Sequence, residues 1–278
     1  MRRIMCLLAA VVSAAGLTAC GDTSAVIFAV GTNDSPAEVQ LTTQTHEKEY
    51  KSNDGKLILG KYSYTIPYMT GVADDTSAAV IVENFNSGVA AMLENAIENW
   101  DDAIENAQAQ YKNAGSDGWA DGSHWTDEVD YMANQSDTLL NLCFNRYVYA
   151  GGAHGYTYHI SKMYDLTEGR FVELDEIAAD EDAMCRAVAD EILRKIDAED
   201  LAAQFGYWDE YADYVDDWME DHCVYFLPAE EGGGMEVYFA AYELASYAAG
   251  EQVFTIDTDV YAPYLNDYGR MLLGISET

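Results

Sequence analysis

Positive charge is what this chain has least of. Its 278 residues include 14 Lys and Arg against 49 Asp and Glu, a formal net charge of -35. A chain this acidic repels nucleic acid and anionic lipid surfaces, which excludes a nucleic-acid partner and leaves cations and basic proteins as complements. Cysteine is sparse and unpatterned: Cys6, Cys20, Cys143, Cys185 and Cys223 include no CxxC pair and no zinc spacing. That excludes a disulfide scaffold. The last three read as small buried residues, with one disulfide among them left open. No apolar run beyond the first twenty residues is long enough to cross a bilayer. There is no G-x-S-x-G elbow, no phosphate loop, no dinucleotide fingerprint and no internal repeat. Paired carboxylates carry no information where 49 acids are present. His154 and His159 are five apart and would face opposite ways on an unbroken strand, and His46, His124 and His222 are isolated, so neither a metal nor a cofactor is expected. Asp117, Asp121 and Asp127 sit in a glycine-rich stretch without EF-hand spacing and read as a solvated acidic loop. No catalytic residue is assigned. What is abundant is apolar and aromatic: 49% hydrophobic residues and 21 tyrosines argue for a packed fold rather than disorder.

The N-terminus is a leader. Arg2 and Arg3 precede an apolar run, Ile4 to Gly16, that ends in Leu17-Thr18-Ala19-Cys20. This resembles the lipobox of bacterial lipoproteins, which implies cleavage after residue 19, lipidation of Cys20 and an extracytoplasmic chain held to the membrane by lipid alone. Residues 20–46, rich in Thr, Ser, Asn and Asp, are expected to form a flexible tether, interrupted by Val26-Ile27-Phe28-Ala29-Val30.

Beyond the tether the hydrophobic period changes several times. Leu57 to Tyr68 alternates and predicts a strand. Val82, Phe85, Val89, Leu93, Ala96, Trp100, Ile104, Ala107 and Tyr111 step by three or four and predict one long helix. Leu140, Leu142, Phe144 and Val148 alternate again, broken only by Arg146. After Gly151-Gly152-Ala153-His154-Gly155, the residues Tyr156, Tyr158, Ile160 and Tyr164 resume the alternation. The glycines predict a hairpin needing positive φ, with His154 hydrogen-bonding the turn. Helices are expected from Asp180 to about Phe205 and from Tyr207 to Asp221. Strands follow at His222–Leu227, Met235–Ala241 and Gln252–Ile256. The class is α+β, with antiparallel sheets packed against a long N-terminal helix and two further helices.

The GGAHG turn, the segment Tyr164-Asp165-Leu166-x-x-Gly169 and the later Tyr242-Glu243-Leu244-x-x-Tyr247-Ala248-x-Gly250 resemble the DUF3298 family. Residues 47–150 resemble its usual companion, DUF4163. One departure is Ser246, where the family often has proline. The family occurs in the ectodomain of the anti-sigma-V factor, which binds lysozyme, and in some peptidoglycan deacetylases. The resemblance implies a non-catalytic surface module in two regions, 47–150 and 151–278, that binds or senses a cationic protein such as lysozyme or a cell-wall fragment. The alternative is a cell-wall-directed enzyme with its site in a cleft between sheet and helices. Asp209, Asp213, Asp216, Asp217 and Glu220 line one side of the predicted helix at 207–221, four apart in three pairs, and form a candidate docking face for that partner.

Overall fold

The computed structural model describes residues 26–30, 37–71, 77–114, 124–217, 223–227 and 233–276. The expected leader, Cys20, Asp117, Asp121 and Glu220 lie outside them.

Seven strands form the main sheet in sequence order: β1 (Val26–Val30), β2 (Ala37–Lys51), β3 (Ile58–Thr70), β4 (Trp125–Gln135), β5 (Leu139–Tyr149), β6 (Tyr156–Asp165) and β7 (Arg170–Val172). Neighbours are antiparallel except β3 and β4, which run parallel. A parallel pair needs a crossover connection, and here α1 (Ser77–Ala114) supplies it. Its apolar stripe, including Phe85, Val89, Trp100 and Ile104, packs on the sheet face that carries Tyr64, Leu140, Leu142 and Tyr164. The opposite face is partly covered by a smaller sheet, β10-β9-β8, built from β8 (Cys223–Phe226), β9 (Met235–Phe239) and β10 (Gln252–Ile256). Short helices α2 (Leu174–Ile177), α4 (Leu201–Phe205), α5 (Tyr211–Asp216), α6 (Thr258–Tyr261) and α7 (Asp267–Leu272) surround α3 (Glu181–Glu199) on that side. In α3 the buried residues Met184, Val188, Ile192 and Ile196 recur every four positions. They share a second core with Phe226, Val237, Phe239 and Ile256.

Several expectations change. Residues 26–30 and 37–46, placed in the tether, are strand. Of β2 only Val39 and Leu41 are buried, so its remaining Thr, Gln and Glu positions read as polar linker although they pair with β3. The helix at 180–205 breaks at Asp200, whose φ of 55° puts it in the left-handed region. Of the helix expected at 207–221, residues 218–221 lie outside the described ones, and within 207–217 only α5 is helix. Arg146 does not interrupt its strand. It continues the face of Phe144 and Leu142, opposite Val129 and two residues from Val148. Asp127, assigned to a solvated loop, is an interior residue of β4 with no exposed surface.

Candidate functional site

The glycine turn joins β5 to β6 as a hairpin. Gly151 and Gly152 have φ of 91° and 97°, a region that L side chains avoid. Gly155 is needed for space: a Cβ there would overlap the Tyr147 ring. The Tyr149 hydroxyl donates to the Gly152 carbonyl at 3.1 Å. His154 Nδ1 lies 3.0 Å from the Gly155 carbonyl oxygen. A carbonyl only accepts, so Nδ1 donates, and whenever the ring carries a single proton Nε2 is an acceptor.

That acceptor meets the second motif. The Tyr242 hydroxyl lies 2.7 Å from His154 Nε2. The His154 ring also stacks on Tyr247, with centroids 3.7 Å apart and planes within 14°. Tyr242 is a non-glycine residue at φ 80°, a conformation that costs about 1–3 kcal/mol and persists only where the surroundings fix it. They do so here. The Trp208 indole donates to the Tyr242 carbonyl at 3.2 Å. The Trp208 amide donates to the Leu244 carbonyl at 2.8 Å. The Glu243 carboxylate accepts from the Ala240 amide at 2.6 Å. The result is a rigid cluster of rings at the surface: Trp208, Tyr242 and Tyr247 are 38%, 48% and 41% exposed. Tyr156 adjoins it. Burial raises the Tyr156 pKa, and the neighbouring Glu243 charge raises it further.

The acidic run begins beside this cluster, at Asp209. Asp209 follows Trp208 directly, and Asp213, Asp216 and Asp217 lie on or just after α5; all four are exposed. None forms an ion pair among the described residues.

His159 is a second bridge beneath the first. Its Nδ1 lies 2.5 Å from Asn145 Oδ1, its Nε2 pairs with the Glu251 carboxylate, and its ring lies on Tyr238 with centroids 4.6 Å apart. Burial opposes its charge, but the Cys143 sulfur and the Glu251 carboxylate outweigh that, and its pKa rises to about 9. Cys143 Sγ is 3.8 Å from Nδ1. A thiol beside an imidazole beside a carboxylate has the composition of a nucleophilic triad. Cys143 has no exposed surface, however, so no substrate reaches its sulfur in this arrangement. The cluster ties the main sheet to the C-terminal segment that carries Tyr242 and Tyr247.

The spacing of the two histidines put their rings on opposite faces of one strand. His154 lies before β6 begins, in the turn, so that argument did not govern it. Both histidines instead reach residues about ninety positions away. Among the described residues no group of three or more His, Cys, Asp and Glu is placed to hold a metal. Sequence reading did not single out Trp208 or Tyr156 as surface rings: Tyr156 falls in a strand alternation and Trp208 within the expected helix at 207–221. Tyr156 directly follows the glycine turn, whereas Trp208 lies 34 positions before Tyr242 and had no such signal.

Residues 53–157 match the family model described as Deacetylase PdaC. The segment runs from just before β3 to the start of β6 and takes in the glycine turn. No curated protein matches the chain. Among solved structures, a member of the DUF3298 family from Bacteroides fragilis NCTC 9343 is similar, with a TM-score of 0.59 at 14% identity, over 84% of this chain and 96% of that one. A DUF3298 family protein from Pseudomonas aeruginosa PAO1 is similar with a TM-score of 0.50 at 17% identity, over 82% and 95%. The chain therefore shares its fold with DUF3298 family proteins.

Proposed function

We propose that the chain is a non-catalytic surface-binding module that docks a cationic protein, with lysozyme the first partner to test. The ring cluster of Trp208, Tyr242, Tyr247 and His154 is the anchor, and the acidic run from Asp209 to Asp217 is its rim. The observation that carries this reading is the meeting of the two recognised motifs in one exposed, hydrogen-bonded group of rings. Exposed Trp and Tyr held in fixed geometry are the residue types that dominate interface energetics. Acidic residues around them speed encounter with a basic partner. The PdaC-like segment and the DUF3298 fold support a cell-wall-associated setting, and lipidation at Cys20 is the proposed anchor there. Cys20→Ala is expected to release the protein from the membrane or block its processing; normal processing and retention would place the anchor elsewhere.

The non-catalytic part of the proposal has its own support. The cleft between α1 and the sheet, one of the places between sheet and helices that the alternative enzyme reading covers, is lined by no His, Cys, Ser, Asp or Glu. The test is calorimetry of the purified chain with lysozyme, with cell-wall fragments in parallel. Tyr247→Ala is expected to weaken lysozyme binding by about 2 kcal/mol, roughly thirtyfold. Undetectable binding of the wild type at low salt removes lysozyme. Saturable binding of wall fragments alone, lost in Tyr247→Ala, transfers the site to a glycan or peptide of the wall.

A further inference from the structure

A cleft of about 260 Å³ opens between α1 and the face of β3–β6, on the helix side of the main sheet. Its size is near the lower end of the ~300–1,000 Å³ of small-molecule sites, room for one short chain or ring rather than a polymer. Its walls are mostly apolar and include Val89, Met92, Phe144 and Ile160. Ile160 is 38% exposed at this face. The charge of the lining reverses that of the chain. With 49 acidic and 14 basic residues overall, the lining holds Arg146 and Lys162 and no carboxylate.

Both cations have capacity to spare. Arg146 gives Nε and Nη2 to Asp127 at 2.9 and 2.6 Å and also hydrogen-bonds the Tyr158 side chain. The guanidinium carries five N–H donors, so one carboxylate does not exhaust it. Lys162 Nζ pairs with Glu173 at 3.1 Å, but the Glu173 side chain is 65% exposed. An exposed pair of this kind is weak and yields to a competing anion. Two strand positions carry these cations on either side of the apolar floor, since Ile160 lies between Tyr158, the partner of Arg146, and Lys162. Cationic donors beside a dry apolar wall recognise a molecule with an anionic head and a hydrocarbon body.

We propose that this cleft binds a single-chain anionic amphiphile, with its carboxylate or phosphate head on Arg146 and Lys162 and its chain among Val89, Met92, Phe144 and Ile160. The site is separate from the ring cluster and does not depend on it. The test uses the purified chain and calorimetry with decanoate, decyl phosphate and decanol, all below their aggregation concentrations, and with inorganic phosphate alone. Decanoate and decyl phosphate are expected to saturate a single site at least tenfold more tightly than decanol, and phosphate alone to bind at least tenfold more weakly than decyl phosphate. Lys162→Gln is expected to reduce the head-group preference severalfold. Met92→Trp, which fills the cleft, is expected to abolish binding while its unliganded melting temperature shows that the fold persists. Val89→Phe serves the same purpose if Met92→Trp does not fold. Tyr247→Ala is expected to leave decanoate binding unchanged. Equal affinity for decanoate and decanol would overturn the proposal, as would unsaturable binding, phosphate binding as tight as decyl phosphate, or wild-type affinity in a folded filled-cleft variant.

Discussion

Asp127 carries a carboxylate with no exposed surface, and two side chains make that tolerable. Arg146 meets both of its oxygens, and the Tyr64 hydroxyl donates to Oδ2 at 2.5 Å. Burial raises the Tyr64 pKa and the Asp127 charge raises it further, so the phenol stays a donor. Burial also works against the Arg146 charge, but Asp127 outweighs it and the pKa goes up. Such a group is stable as a set and costly in part. Arg146→Met is expected to lose about 3–5 kcal/mol, because it strands a buried charge, whereas Asp127→Leu with Arg146→Met recovers most of the loss. Urea unfolding of the two variants checks this; a double variant as unstable as the single one would contradict it. Sequence pattern alone hid the set. Arg146 looked like a break in an apolar alternation, and its partner sits nineteen positions away on a neighbouring strand.

His159 gives a pH dependence of definite sign. Its folded-state pKa of about 9 exceeds its ordinary 6.5, so folding favours the imidazolium. Its stabilising contribution is then full below about pH 6.5 and disappears as pH rises to about 9. Melting temperature is expected to fall over that window in the wild type and to fall less in His159→Gln. Identical profiles would show that the Glu251 pairing does not hold the C-terminal segment in place.

At the level of elements, the turn at 151–155 and the loop at 240–250 act as one unit. Gly152→Val forces a branched residue to φ near 97°, at a cost of about 1–3 kcal/mol, and Gly155→Ala drives a methyl group into the Tyr147 ring. Thermal unfolding is expected to drop in both, and full stability in either would show that the turn relaxes freely. His154→Ala removes the stacking on Tyr247 and the bond to Tyr242, so its effect is expected on the ring cluster and on binding more than on the fold. The hairpin and α1 were legible because their periods are clean: two on either side of a glycine break, and three or four over the apolar positions of α1. β2 was not, since only Val39 and Leu41 mark its buried face. Nor was β4, whose Trp125-Thr126-Asp127-Glu128 start places a buried acid where the pattern predicts solvent. The helix expected at 207–221 failed for a physical reason already visible in it. Its acidic pairs four apart repel, and among the described residues 207–217 only Tyr211–Asp216 are helix.

At the scale of the whole molecule, the proposed function gives the charge of -35 and the ring cluster different tasks. Charge acts at a distance and is screened beyond about 8 Å at physiological salt, so it governs how fast a basic partner arrives. Packed rings act on contact and govern how long it stays. The sequence made the acidity and the two motifs plain but could not show that they adjoin, because that depends on Trp208 reaching across to Tyr242. The measurement that tests this division most directly is association and dissociation of lysozyme at low and physiological salt. The wild type is compared with Tyr247→Ala and with a variant carrying Asp213→Asn, Asp216→Asn and Asp217→Asn. The expected result is an association rate that falls with salt and falls again in the triple variant, and a dissociation rate that rises roughly thirtyfold in Tyr247→Ala with association nearly unchanged. Wild-type kinetics in both variants, at both salt concentrations, would contradict the assignment of this face as the docking site.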